Sequence, residues 1–150
     1  MSLEKDISQS NFRNEHQKAI INLIYTYNWM NEHMRSFFER VDITSQQFNI
    51  LRILRGAGQP LSTLQIRQRM LDKMSDTSRI VDRLITKGLV KKVVCKSDKR
   101  LVDVSITDKG KKLLEKTDKY EPEMDALFGS LTEAEARTLN KLLDKIRHRD

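Results

Sequence analysis

Two short stretches of this chain carry side chains that could do recognition chemistry. The first is Asp76-Thr77-Ser78-Arg79, with Arg83 further on, and the second is Lys96-Ser97-Asp98-Lys99-Arg100. Short hydroxyls and a carboxylate ahead of an arginine suit hydrogen bonding to phosphates and base edges. A guanidinium such as that of Arg79 can grip guanine O6 and N7 with two hydrogen bonds, worth about 1–3 kcal/mol of discrimination. Plainer readings stand beside these. Ser75 and Ser78 could be ordinary caps, and Arg79 could belong to a surface ion pair. Arg83 could reach a phosphate or pair with an acid on its own helix, and Asp82 reads as structural. Ser97-Asp98-Lys99 by itself is a turn-forming tip. No Ser-His-Asp or Cys-His arrangement and no phosphate-cradling glycine loop stands in the sequence, so no catalytic role is expected.

Three elements must position these residues. Met74-Ser75-Asp76 is a polar turn opening a helix with Ile80, Val81, Leu84 and Ile85 on its apolar side. Gly88, preceded by Lys87, closes it, because glycine tolerates the left-handed conformation that satisfies the last carbonyls. From Val90 the period changes. Val90–Cys95 and Leu101–Ile106 are rich in β-branched residues, and Val102, Val104 and Ile106 alternate with Asp103 and Ser105, predicting a hairpin with one wet face. Its tip is the basic second stretch. Upstream, Ser62 with Gln65 forms a capping box for a short helix close to the next. Helix, turn, second helix and hairpin is the order of a winged helix-turn-helix, in which the second helix enters the DNA major groove. At such a wing, Arg100 suits a narrow minor groove, where concentrated negative potential attracts arginine. Lys96 and Lys99 would add phosphate contacts, which set affinity and salt dependence more than sequence choice.

The residues from Asp98 to Gly110 resemble the wing signature of the MarR family of bacterial transcriptional regulators: Asp98-x-Arg100, three residues, then Val104-x-Ile106-Thr107-x-x-Gly110. Ser78-Arg79-Ile80-Val81-Asp82-Arg83-Leu84 and Gly88-Leu89-Val90 resemble that family's recognition helix and its exit. The likeness runs by motif from Thr44 to Gly110 and over both flanks by length and helical pattern. It implies that Asp98 orients the Arg100 guanidinium across the hairpin tip. It also implies a homodimer whose N- and C-terminal helices hold two winged helices a helical turn of DNA apart. Family members often respond to small aromatic or phenolic ligands. Tyr25, Trp29 and His33 fall at four-residue steps on one side of the first helix and could line such a pocket, or could be plain core. Some relatives sense oxidants through a cysteine near the start of the first helix, and this chain has none there. Its single cysteine, Cys95, lies in the wing as a small strand residue or an oxidation switch.

Composition agrees with a DNA-binding reading. A chain of 150 residues suits one domain with a single core, and 38% hydrophobic residues argue against global disorder. Residues 60 to 112 hold 14 Lys+Arg against 6 Asp+Glu, whereas the rest of the chain holds 14 against 15, so the whole +7 excess sits on the recognition elements. That placement favours a polyanionic partner over a merely solvated face. The start of the chain lacks a signal-peptide core and no apolar run approaches a membrane span, which predicts a cytoplasmic protein with no membrane partner. His16, His33 and His148 lack metal-site spacing, and no cofactor is expected.

The flanks read as helices. Residues 1 to 10 look like a loose polar tip. From Phe12 a helical apolar period through Ala19, Ile20, Leu23, Ile24, Tyr27, Met34, Phe37, Phe38 and Val41 describes one amphipathic helix of roughly 30 residues. Thr44 with Gln47 caps the next, ending near the turn 56–60. Thr107 caps a helix that Pro122 should bend or interrupt, and Thr132 with Glu135 starts the last. The expected fold is mostly α with a small β-wing: a winged helix-turn-helix lobe over 44–110, flanked by dimerisation helices over 10–41 and 112–150. The expected function is a homodimeric, ligand-responsive regulator, a repressor in its simplest form, binding a pseudo-palindromic double-stranded operator. The alternative is a winged-helix module meeting an acidic protein or RNA without specific readout.

Overall fold

Secondary structure follows local capping chemistry closely. In the computed structural model, which describes residues 2–98 and 100–148, the chain divides into two compact units, one ending at Arg40 and the other beginning at Val41. Among the described residues, no helix is long and apolar enough to cross a membrane.

The first unit contains α1 (Leu3–Asp6) and α2 (Glu15–Arg40). The expected loose tip is instead a single helical turn with Leu3 buried, tied down where Glu4 pairs with Lys18. The Lys18 ammonium holds the Glu4 carboxyl down to about 2. The long helix begins at Glu15 rather than Phe12, because the Asn14 Oδ1 accepts the Gln17 N–H and satisfies a donor of the first turn. Phe37 and Phe38 are buried and meet edge to face at 5.0 Å, while Ile20, Leu23, Ile24 and Tyr27 remain about half exposed.

The second unit runs α3 (Ser45–Ala57), β1 (Leu61–Ser62), α4 (Thr63–Arg69), α5 (Thr77–Thr86), β2 (Val90–Val94), β3 (Val102–Ile106), α6 (Asp108–Asp118), α7 (Glu121–Asp125), a 3₁₀ turn (Ala126–Phe128) and α8 (Glu133–Arg147). Thr44 with Gln47, Ser62 with Gln65 and Thr132 with Glu135 each form the reciprocal capping box. Central to the unit is α3, whose Ile50, Leu51 and Leu54 are fully buried and which packs on α4, α5, α6 and β3. Leu61, Ile66, Leu84, Val90, Val104 and Leu114 complete that core. On its rim, the Arg55 guanidinium donates to both Asp118 carboxylate oxygens at 2.7 and 3.0 Å, which joins α3 to α6 and holds the Asp118 carboxyl below its ordinary range.

The wing differs from a plain hairpin. Leu61 and Ser62 pair with Val104 and Asp103, making a three-stranded antiparallel sheet of order β1-β3-β2. Ser62 therefore both closes the sheet and caps α4. Pro122 ends nothing from within: α6 stops at Asp118, and the proline sits in the first turn of α7, where its missing N–H costs no hydrogen bond.

Two glycines are fixed by geometry. Gly88 adopts φ +70°, and Gly88 N–H donates to Ile85 O (2.9 Å) while Leu89 N–H donates to Leu84 O (3.0 Å), the paired bonds of a Schellman stop. Gly110 sits so close to the chain after α5 that a Cβ there would lie 2.3 Å from Leu89 O. The same corner is bonded from α6: Thr107 N–H donates to Leu89 O, Thr107 Oγ1 to Gly88 O and Lys109 Nζ to Lys87 O.

Candidate nucleic-acid interface

Helix α5 has one buried side and one polar side. Ile80, Val81 and Leu84 point inward, and at 100° per residue Ser78, Arg79, Asp82 and Arg83 share the opposite, exposed side. Its N-cap is Asp76, whose Oδ1 accepts the Arg79 N–H at 3.2 Å, so this carboxylate is committed to the helix start. Ser75 instead donates its hydroxyl to Asp72 O at 2.7 Å within the preceding loop. Thr77, expected on the recognition surface with its neighbours, is only 3% exposed. As the first helical residue it faces the core, so its side chain is not presented to a ligand in this structure. Its hydroxyl has no hydrogen-bond partner among the described residues. A buried hydroxyl without a partner forfeits its hydration, so Thr77→Val should stabilise the fold by about 1 kcal/mol in urea unfolding.

Helix and wing are linked by charge. Asp82, read from sequence as merely structural, lies on the exposed side of α5, with its carboxylate 3.6 Å from the Lys92 ammonium of β2. Arg79, Arg83 and Arg100 have no carboxylate partner among the described residues. Neither have Arg67 and Arg69 of α4. By contrast, Arg35, Arg52, Arg55, Arg137 and Arg147 each have one. The ion-pair reading of Arg79 and the intrahelical pairing of Arg83 therefore find no partner in this structure. A group of guanidiniums left without internal anions is what an external polyanion would neutralise.

At the wing tip the chain is closed by local bonds. Cys95 N–H donates to Leu101 O and Leu101 N–H to Asp98 O, both at 3.0 Å. The Asp98 carboxylate accepts the Arg100 backbone N–H at 2.9 Å. Its observed bond thus shapes the turn through the main chain, rather than gripping the guanidinium as the family likeness implies. Lys96, Asp98 and Arg100 are exposed there, and Lys99 lies outside the described residues. Cys95 follows β2 instead of ending it, and the Ser97 hydroxyl 3.0 Å from its sulfur lowers the thiol from its usual range.

In the first unit, Tyr25, Trp29 and His33 are all exposed on α2. The Trp29 and His33 rings are tilted with centroids 4.4 Å apart, and His33 Nδ1 lies 2.8 Å from Trp29 O. Tyr25 has no ring contact with either among the described residues. Sequence reasoning missed β1, the Asp82–Lys92 pair and the inward turn of Thr77. Only the pair had a local signal, an acid on an otherwise basic helix face.

A three-stranded antiparallel sheet after an α4–α5 helix pair, with arginines that have no carboxylate partner among the described residues, defines a winged helix-turn-helix protein. Comparison with known proteins gives its family. The sequence model of the MarR family matches residues 41–101. The multiple antibiotic resistance protein MarR of Salmonella typhimurium is 30% identical over 128 residues, covering 83% of this chain and 88% of that protein. Among solved structures, a MarR transcription factor from Planctomyces limnophilus is 31% identical with a TM-score of 0.67, covering 89% of this chain and 98% of that one. A mutant E. coli MarR crystallised with operator DNA shares the fold at TM-score 0.80 and 24% identity, covering 93% of this chain and 100% of that one. The chain belongs to the MarR family and is a DNA-binding transcriptional regulator.

Proposed function

We propose that two copies of this chain bind a pseudo-palindromic duplex operator as a ligand-responsive repressor. The observation that carries this reading is the set of guanidiniums of Arg79, Arg83 and Arg100, on one helix and one hairpin tip, with no carboxylate partner among the described residues. In this arrangement Ser78 and Arg79 meet base edges, Arg83, Lys96 and Lys99 meet phosphates, and Arg100 enters the minor groove held by the Asp98 turn. Asp76 and Thr77 support the helix start. Homodimerisation is supported by apolar side chains left exposed on the end helices, including Ile20, Ile24 and Tyr27 of α2 and Leu142 and Ile146 of α8. Selection of bound duplexes from a random pool tests the whole reading. An enriched inverted repeat that survives excess random duplex is the expected result. Binding that random duplex abolishes would instead indicate a charge-driven module.

For the effector, the aromatic ladder of Tyr25, Trp29 and His33 supports a small aromatic ligand on α2. Aromatic acids are expected to raise the melting temperature by a few degrees, quench Trp29 fluorescence and release the duplex. Absence of all three responses across a panel would remove the ladder from the reading.

A further inference from the structure

The turn before α5 presents an apolar side chain with nothing to pack on. Met74 is 93% exposed, flanked by Lys73 and Ser75 in the loop that joins α4 to α5. Yet the loop is firmly anchored. Leu71 N–H donates to Asn49 Oδ1 at 2.9 Å, and Gln46 Nε2 donates to Asp72 Oδ2 at 3.0 Å, fixing the loop to α3 from two positions. The other Asp72 oxygen accepts the Met74 N–H at 3.0 Å, while Asp72 O accepts the Ser75 hydroxyl at 2.7 Å. The backbone of Met74 is thus held in place two residues ahead of the Asp76 cap, and its thioether projects into solvent. An exposed apolar side chain on a fixed mount gains little for the fold and is well suited to contact with a partner.

Resting on the reading of α5 as the DNA-reading helix, the geometry points to Met74 as a specificity-determining residue that packs on the C5-methyl group of a thymine. The neighbouring charges, Lys73 and Arg79, favour a polyanion over an apolar protein face. In the major groove the thymine methyl is the one apolar mark that a base presents, and no other side chain proposed for the interface can read it: Ser78, Arg79 and Arg83 offer hydrogen bonds or charge. Leu71 is nearly as exposed, at 88%, but stands five residues ahead of the cap and serves as an internal control.

The experiment replaces each thymine of the selected duplex, one at a time, by deoxyuridine, which removes only the methyl group. Wild-type protein should lose roughly fourfold in affinity at one position per half-site, the value of one buried methyl-sized group. Met74→Ala and Met74→Gln should bind the thymine and deoxyuridine duplexes equally, Met74→Leu should keep the difference, and Leu71→Ala should behave as wild type. Unchanged melting temperatures are expected for all four. A wild-type protein that ignores every deoxyuridine, or a Met74→Ala variant that still senses the same one, overturns the assignment while leaving operator binding intact. Failure of the wild type to enrich any duplex would overturn operator binding itself, and the assignment with it.

Discussion

Gly110→Ala is expected to destabilise the protein by about 3 kcal/mol, lowering its melting temperature by roughly 10 °C, at the upper end of what overpacking does. The added Cβ would stand 2.3 Å from Leu89 O and 2.8 Å from Ile106 Cγ1. The first of these is backbone, bonded in turn to Thr107 N–H, so it cannot swing aside as a flexible side chain would. Gly56 provides the comparison. It lies inside α3 with nothing within 4 Å of an added Cβ, so Gly56→Ala should stabilise by about 0.5–1 kcal/mol through helix propensity. Urea unfolding of both variants measures the contrast. Equal effects would mean that the α5–α6 corner yields more readily than its hydrogen bonds imply.

Arg100→Ala should cost about 1–3 kcal/mol in duplex binding, roughly 5- to 150-fold, with the fold unaffected because the side chain is exposed and without an ion-pair partner among the described residues. The charge lost should also reduce the salt slope of binding by about one. Arg79→Ala should differ in kind. A contact to a base edge relaxes preference at one position, whereas a groove-seated arginine reads width and potential. Mobility-shift titrations at several salt concentrations separate the two. Unchanged affinity for Arg100→Ala at physiological salt would refute a wing contact.

What could be read from the sequence was what local chemistry determines. Thr44, Ser62 and Thr132 each take a partner three residues on, and a short side chain with a glutamine or glutamate at that spacing bonds in nearly any context. Gly88 was legible for the same reason. The third strand was not, because pairing Leu61 with Val104 joins residues far apart in the chain, and two residues carry no period. Thr77 belongs by type among hydroxyl donors, and only the packing of α5 within its unit turns it inward. Asp98 and Asp82 were visible as acids among bases. Their partners, the Arg100 main chain and Lys92, depend on how the turn closes and how strand meets helix. At Gly110 the wing signature marked the residue, while the reason for it, a carbonyl from the preceding corner, belongs to the folded chain alone.

The corner at Gly88-Leu89 carries a mechanical consequence. The last turn of α5 accepts hydrogen bonds from the N–H groups of Lys87, Gly88 and Leu89, and the start of α6 donates to the carbonyls of the same three residues. The two helices therefore behave as arms of one rigid bracket. A rotation imposed on α6 is passed to α5 through this corner, so a small tilt of one arm displaces the other without unfolding either.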